Sequence, residues 1–230
     1  MTGEFKKRII TSIFLIALTL SCIFLHPAIF FISLLLISYI VLNETSFILL
    51  RVYKKFKFFI YIIILFYLFL IFIPSAFDIY KLFGSFYFLY ILLICIFSDV
   101  GGYVVGKIIG GKKLTKISPN KTISGSIGSF IFSVFPLLLF YNFDMIKYSI
   151  TMSSILFCLE ISLFSQLGDL FISYFKRRAK IKDTGKILPG HGGLLDRVDG
   201  IIFAVPFAYI YLIGPAAYFE KWKNIFLINA

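Results

Sequence analysis

FFIYIIILFYLFLIFIPSAF, residues Phe58–Phe77, decides the fold class, because these twenty residues carry no charged side chain. At ~1.5 Å per residue, a helix of this length spans ~30 Å, the thickness of the hydrocarbon core of a bilayer. The whole chain of 230 residues has the same character: it is 60% hydrophobic, 20% aromatic and only 15% charged, with a mean hydropathy of +0.97. A soluble domain of this length needs more charge to cover its surface. We therefore expect an all-α, polytopic membrane protein.

Six further apolar blocks accompany Phe58–Phe77, so about seven spans are predicted. The other blocks are Ile9–Leu25, Ala28–Leu42, Leu82–Ser98, Ser126–Tyr141, Ile150–Phe171 and Ile201–Tyr218. The block Ala28–Leu42 is short and forms a hairpin with the first block around His26-Pro27. The first block follows three basic residues, as in a signal peptide, but it lacks an A-x-A cleavage site. Because a second apolar block follows at once, we interpret the first block as a retained anchor.

The basic residues predict the orientation. With the N-terminus in the cytoplasm, 19 of the 23 Lys and Arg residues fall on the cytoplasmic side, as the positive-inside rule requires. The C-terminus then lies outside, and the polar stretches Asp99–Gly125 and Lys176–Gly200 share the cytoplasmic face. In a membrane protein, the net charge of +12 reflects topology and anionic lipids rather than nucleic acid. The three cysteines lie in apolar blocks without a CxxC motif, which excludes zinc and redox sites.

A polar stripe runs along the helix that leads into the second polar stretch. Its members recur at spacings of three and four residues: Ser162, Ser165, Gln166, Asp169, Ser173 and Lys176. A carboxylate in a spanning helix is costly, so Asp169 must face protein, water or a metal ion. The alternative is an ion pair with Lys176 or Arg177, one to two turns away.

Residues 173–200, SYFKRRAKIKDTGKILPGHGGLLDRVDG, form the signature segment and combine three kinds of residue. Six Lys and Arg side chains between Lys176 and Lys186 can neutralise phosphate charge. Four glycines between Gly185 and Gly193 let backbone N–H groups approach an anion closely. The carboxylates of Asp183, Asp196 and Asp199 match the oxygen donors that Mg²⁺ prefers. The combination predicts phosphate-group transfer; the alternative is a solvated basic loop beside anionic lipid.

The first polar stretch has a weaker signal of the same kind. Asp99-Val-Gly-Gly-Tyr103 is expected to close a spanning helix, and Ser118-Pro-Asn-Lys-Thr122 precedes the next one. Ser, Thr and Lys at a helix start suit a phosphate group, but an ordinary helix cap explains them equally well.

These motifs resemble the signature of the phosphatidate cytidylyltransferases. The matching pattern is Ser173-x-Phe-Lys-Arg177, Lys182-Asp-x-Gly185, Leu188-Pro-Gly-His-Gly-Gly193 and Asp196-Arg-x-Asp199, with the motifs at Asp99 and Ser118 upstream in the expected order. The resemblance is strong from Asp99 to Gly200 and only general before it. It divides the chain into N-terminal transmembrane helices (1–98) and a catalytic transmembrane region (99–230). Many members have a Glu near Ser124, which this chain lacks.

The resemblance implies that CTP and phosphatidic acid react to give CDP-diacylglycerol and pyrophosphate, with Mg²⁺ and room for a second metal ion. It implies a bacterial inner-membrane enzyme with its active site facing the cytoplasm. The oligomeric state is left open, a homodimer included. The alternatives are a CTP-dependent lipid kinase, which would release CDP, and a transporter of anionic metabolites, which would use buried Asp169 and Glu160.

The resemblance also suggests roles for individual residues. Asp169 and Asp196 are expected as metal ligands, and Asp183 and Asp199 as further ligands or as acceptors that orient the segment. Phosphate groups would be held by Lys176, Arg177 and Lys182. His191 would donate a hydrogen bond to a phosphate or fix the loop. Other substrate contacts are assigned to Asp99, Ser118, Lys121, Thr122, Ser173, Gly190, Gly192, Gly193 and Arg197.

Overall fold

The computed structural model describes residues 3–53, 57–115, 117–142, 150–185, 187–190, 192–215 and 218. Within these ranges the chain is helical and contains no β-strand, only two isolated β-bridges. The predicted all-α class is therefore confirmed. The helices are α1 (Gly3–Phe24), α2 (Pro27–Val52), α3 (Lys57–Phe66), a π-helical segment (Tyr67–Phe72), α4 (Ile73–Phe83), α5 (Ser85–Ile109), α6 (Ile123–Ser133), α7 (Phe135–Asn142), α8 (Met152–Arg178) and α9 (Leu195–Ile213).

Five helical stretches are long and apolar enough to cross a bilayer. They are Pro27–Val52, Phe58–Phe83, Ser85–Ile109, Ile123–Asn142 and Met152–Arg178, and a shorter apolar helix covers Ile9–Phe24. Stretches of this length and composition identify an integral membrane protein.

Two predicted helix boundaries were wrong. The second apolar block was expected to end at Leu42, but α2 continues ten residues further to Val52. The second error concerns Asp99, which does not close a helix: α5 passes through it and ends at Ile109, before Gly110. In both places polar residues find partners within the protein, so the helix can continue past them.

The two glycines after Asp99 serve helix packing rather than helix termination. A Cβ atom at Gly101 would lie 2.6 Å from the Gly128 carbonyl oxygen of α6, and one at Gly102 would lie 2.5 Å from Ser129 Oγ. From the other side, a Cβ atom at Gly128 would lie 2.5 Å from Val105 Cβ. The backbones of α5 and α6 are thus in close contact, as is typical of membrane helices that pack through small residues.

Helices α8 and α9 pack in the same way, which brings the polar ends of both helices together. A Cβ atom at Gly168 would lie 2.7 Å from the Asp199 carbonyl oxygen, and one at Gly200 would lie 2.4 Å from Ser165 Oγ. The loop that joins these helices (residues 179–194, the α8–α9 loop) and the loop that joins α5 to α6 (residues 110–122, the α5–α6 loop) meet at one end of the bundle. An ion pair between Lys121 and Asp169 connects the α5–α6 loop to α8, the helix that leads into the α8–α9 loop.

Candidate active site

The polar stripe predicted on α8 faces the protein interior. Ser162 Oγ lies 2.7 Å from Ser98 Oγ of α5, and Gln166 Nε2 donates to Ser162 Oγ at 3.2 Å. On the neighbouring helix, Ser126 Oγ donates to Gln166 Oε1 at 2.6 Å. Ser162 and Ser165 are buried. The stripe therefore stabilises the junction of α5, α6 and α8 and leads toward the carboxylates near the C-terminal end of α8.

Three carboxylates from three different helices converge at that end. Asp99 lies on α5, Asp169 on α8 and Asp199 on α9, and they are close enough that their negative charges repel one another. Asp199 is buried, and one of its oxygens accepts a hydrogen bond from the Gly200 amide at 2.9 Å. A nearby positive charge reduces the repulsion between such carboxylates, and the structure places Lys121 beside them.

Lys121 supplies one positive charge to this cluster from the α5–α6 loop. Its ammonium group forms an ion pair with Asp169, which also accepts a hydrogen bond from Ser173 Oγ at 3.1 Å. The loop is held in shape by hydrogen bonds from the Leu114 amide to the Lys121 carbonyl and from the Lys121 amide to the Ser118 carbonyl. The partner of Asp169 is therefore a residue of the α5–α6 loop, and not Lys176 or Arg177 of its own helix, as the alternative interpretation proposed.

Lys176 instead pairs with Asp196, and Asp196 organises the α8–α9 loop. Lys176 Nζ lies 2.8 Å from Asp196 Oδ1. Asp196 Oδ2 accepts from the Thr184 amide at 2.8 Å, from Thr184 Oγ1 at 3.0 Å and from the Gly193 amide at 3.0 Å. Burial raises the pKa of the Asp196 carboxyl, but the hydrogen bonds from Lys176, Thr184 and Gly193 outweigh this effect and hold the pKa below its usual range.

Glu44 on α2 also belongs to this network, although the sequence analysis did not select it. Its Oε1 accepts from the Leu194 amide at 3.1 Å, and its Oε2 accepts from the Leu195 amide at 2.8 Å. Oε2 also lies 2.9 Å from Thr184 Oγ1, so Glu44 and Asp196 share the single hydroxyl proton of Thr184. The side chain is buried. The rule that selected Asp169, a carboxylate within a spanning helix, would have found Glu44 if α2 had been extended beyond Leu42.

Of the remaining predicted residues, four are exposed and one caps a helix. Arg177, Lys182, Asp183 and Arg197 are exposed on the loop side of the bundle. Thr122 caps α6, because its hydroxyl accepts from the Gly125 amide at 3.0 Å, as the cap alternative proposed.

The loop glycines contribute to the local turn. Gly190 and Gly192 have positive φ angles of 77° and 89°, and Gly192 pairs with Leu188 in an isolated β-bridge. An L side chain is strained at such φ angles, so the turn depends on glycine. His191 lies outside the described residues. The roles assigned to these residues in substrate binding stay predictions.

The carboxylate oxygens of the aspartates at this site are the kind of ligand that Mg²⁺ prefers. The described residues nevertheless contain no group of three or more side chains that could hold a metal ion. Mg²⁺ usually takes one or two carboxylates and completes its shell with waters and substrate phosphates, so a closed cage is not required. Asp169 and Asp199 are the candidates for such a pair, and their role as metal ligands stays a prediction. Asp196 Oδ2 already accepts three hydrogen bonds, and only Oδ1 retains acceptor capacity beside Lys176. Its role as a metal ligand stays a prediction.

Comparisons with known proteins point to one kind of enzyme. Residues 45–213 match the model of a family described as the cytidylyltransferase family. A Helicobacter pylori (strain J99) protein named phosphatidate cytidylyltransferase is 39% identical over 151 residues, which are 65% of this chain and 54% of that protein. Proteins of the same name from Staphylococcus haemolyticus and Staphylococcus aureus (strain COL) are 43% and 47% identical over 134 and 133 residues, 56% of this chain and 50% of each relative. The chain thus spans about half the length of the curated relatives it matches.

Proposed function

This chain belongs to the cytidylyltransferase family, and from that premise we propose that it transfers the cytidylyl group of CTP to phosphatidic acid. The products are CDP-diacylglycerol, a precursor in phospholipid biosynthesis, and pyrophosphate. The observation that carries the proposal is the convergence of Asp99, Asp169 and Asp199 beside Lys121 at the end of an apolar helix bundle. A site of this kind suits a reaction between a charged nucleotide and a lipid headgroup.

The proposed reaction needs no nucleophile from the protein. An oxygen of the phosphatidate phosphate attacks the α-phosphorus of CTP, and the bond from that phosphorus to the bridging oxygen breaks. Pyrophosphate leaves with the electron pair of that bond. The enzyme has to position two anions and neutralise their charge, as in other phosphoryl transfers. This requirement agrees with a site made of carboxylates and basic side chains.

The roles of the side chains follow from their surroundings. Asp169 and Asp199 would hold Mg²⁺, which, when bound, neutralises charge on the triphosphate and on the departing pyrophosphate. The ammonium group of Lys121 would leave its ion pair with Asp169 and bind a phosphate oxygen instead. The exposed side chains of Arg177 and Lys182 would add charge–charge attraction to the nucleotide. Phosphatidic acid would approach with its acyl chains in the bilayer.

We further propose seven spans, with the α5–α6 and α8–α9 loops on the cytoplasmic side of a bacterial cell membrane. Two observations support this arrangement: Lys121 of the α5–α6 loop pairs with Asp169 on α8, the helix that leads into the α8–α9 loop, and most of the basic residues fall on the same side. The shorter apolar helix Ile9–Phe24 and helix α9 would be the two spans beyond the five long stretches. CTP is made in the cytoplasm, which agrees with this orientation.

One assay tests the activity and its alternatives together. Purified protein is incubated with labelled CTP, phosphatidic acid in mixed micelles and Mg²⁺, and the lipid product, pyrophosphate and CDP are measured. Labelled CDP-diacylglycerol with an equal amount of pyrophosphate supports the proposal. Release of CDP with phosphorylated lipid would identify a lipid kinase, and the lack of any lipid product would favour a transporter. EDTA should stop product formation, and added Mg²⁺ should restore it.

A further inference from the structure

Helix α9 begins without a cap from its own sequence. Its N-cap residue is Leu194, whose side chain accepts no hydrogen bond. The first amides of a helix have no partner within the helix and need one from elsewhere when they are buried. Glu44 of α2 supplies it, because its two carboxylate oxygens accept the Leu194 and Leu195 amides at 3.1 and 2.8 Å. The negative charge of a carboxylate at this end of the helix is also favourable to the helix dipole.

Two glycines of the α8–α9 loop leave the space that this carboxylate occupies. A Cβ atom at Gly185 would lie 2.5 Å from Glu44 Oε1, and one at Gly193 would lie 2.6 Å from Glu44 Oε2. Real Cβ atoms do not approach an oxygen so closely, so any larger residue would displace Glu44. These glycines are thus explained by contact with an acidic side chain of the protein itself.

Thr184 connects Glu44 to the carboxylate that organises the loop. Its Oγ1 lies 2.9 Å from Glu44 Oε2 and 3.0 Å from Asp196 Oδ2, and Asp196 in turn pairs with Lys176. Thr184 and Glu44 are both buried. A continuous chain of polar contacts therefore joins α2, the α8–α9 loop, α9 and α8.

We propose that Glu44 is a positioning residue of the active site: it fixes the start of α9 and thereby the placement of Asp196 and Asp199. This inference rests on the proposed function, because it assigns Glu44 a part in the same transfer reaction. Glu44 lies one residue before the stretch that matches the family model. It acts on the reaction through the backbone of Leu194 and Leu195.

The test uses the full-length protein and four variants. In Glu44→Gln the side chain keeps its size, but one of its two acceptor oxygens becomes a donor, so one of the two amides loses its partner. Thr184→Val removes the hydroxyl bridge, and Thr184→Ser retains it. Glu160→Gln is the matched control, because Glu160 is a glutamate of α8 outside this network. Turnover is measured per folded molecule, and backbone hydrogen exchange is followed in peptides covering residues 192–200 and 157–168.

We expect Glu44→Gln and Thr184→Val to lower kcat about 10-fold or more, with a change of less than about 3-fold in the KM for CTP. Exchange should accelerate in residues 192–200 and stay unchanged in 157–168. Thr184→Ser and Glu160→Gln should behave like the unmodified protein. Should Glu44→Gln fail to fold, the comparison of Thr184→Val with Thr184→Ser decides the question.

Two results would overturn the inference. In the first, exchange accelerates while kcat per folded molecule stays within about 2-fold, which would make Glu44 a purely structural residue. In the second, kcat falls without any change in exchange, so that Glu44 would act by another route. If the unmodified protein forms no CDP-diacylglycerol, the proposed function has failed, and the exchange data still decide whether Glu44 anchors the loop.

Discussion

Replacement of Asp196 by asparagine places two hydrogen-bond donors face to face. Asp196 Oδ1 lies 2.8 Å from Lys176 Nζ, while Oδ2 accepts from the amides of Thr184 and Gly193 and from the Thr184 hydroxyl. Asparagine has nearly the same size but only one oxygen. If that oxygen faces the loop amides, the new NH₂ group points at the ammonium group of Lys176; if it faces Lys176, the NH₂ group points at the amides.

The size of the effect follows from the burial of the ion pair. The side chains of Lys176 and Asp196 are only 14% and 10% exposed. Removal of one partner from a buried pair costs about 3–5 kcal/mol, and we take ~3 kcal/mol because this pair retains some solvent. At 1.36 kcal/mol per factor of ten, this corresponds to on the order of 100-fold in the population of the ordered loop. We expect a comparable loss in the rate of CDP-diacylglycerol formation.

The measurement combines turnover with stability in the same detergent. Labelled CTP incorporation into lipid gives the rate, and thermal unfolding gives the stability of Asp196→Asn and of Asp183→Asn. Asp183 is exposed on the same loop, so its substitution should change the free energy of unfolding by less than about 0.5 kcal/mol. Normal turnover of Asp196→Asn, or equal stability of the two variants, would refute the reasoning from the Lys176 pair.

Three further predictions concern charge, packing and pH. Lys121→Ala should raise the apparent KM for CTP or phosphatidate, and an unchanged kinetic profile would remove the α5–α6 loop from the site. Gly128→Ala should lower the free energy of unfolding by about 1–3 kcal/mol through its contact with Val105, which thermal unfolding in detergent can measure. Because the pKa of Asp196 is lowered in the folded protein, its contribution to stability is complete above about pH 4 and is lost as the pH falls through the folded pKa. Acid unfolding should therefore depend less on pH in Asp196→Asn than in the unmodified protein.

The apolar blocks predicted the helices well wherever burial in lipid alone decides the structure. Phe58–Phe77 lies within one apolar helical stretch that ends at Phe83. The prediction failed at Leu42 and at Asp99, where polar residues interrupt an apolar run. A polar residue ends a span only when it lacks a partner in the protein. The partners of Glu44 are 140 or more residues away in sequence, so local patterns cannot reveal them.

The sequence predicted which residues face the candidate site better than it predicted which of them form ion pairs. The spacing of Ser162, Gln166 and Asp169 placed them on one stripe, and the structure confirms that this stripe faces neighbouring helices. Asp169 was expected to face protein, water or a metal ion, and the alternative was an ion pair one to two turns away on the same helix. Its partner in the structure, Lys121, lies 48 residues away in the sequence, on the α5–α6 loop. Helical periodicity determines which face a residue occupies, while ion pairing depends on how loops meet in three dimensions.

The glycine-rich loop was expected to offer its amides to a phosphate, but several of these donors already serve carboxylates of the protein. The amides of Gly193 and Thr184 bind Asp196, and those of Leu194 and Leu195 bind Glu44. A phosphate would have to displace a buried carboxylate to reach them, and two negative charges at such a distance repel strongly. On the proposed function, the charge of the nucleotide should therefore be met by the exposed basic side chains and by the metal ion that Asp169 and Asp199 would hold, while the loop backbone keeps Asp196 and Glu44 in place. On this division of roles, substitutions of exposed basic residues should change substrate affinity, and substitutions of loop glycines should change the order of the loop.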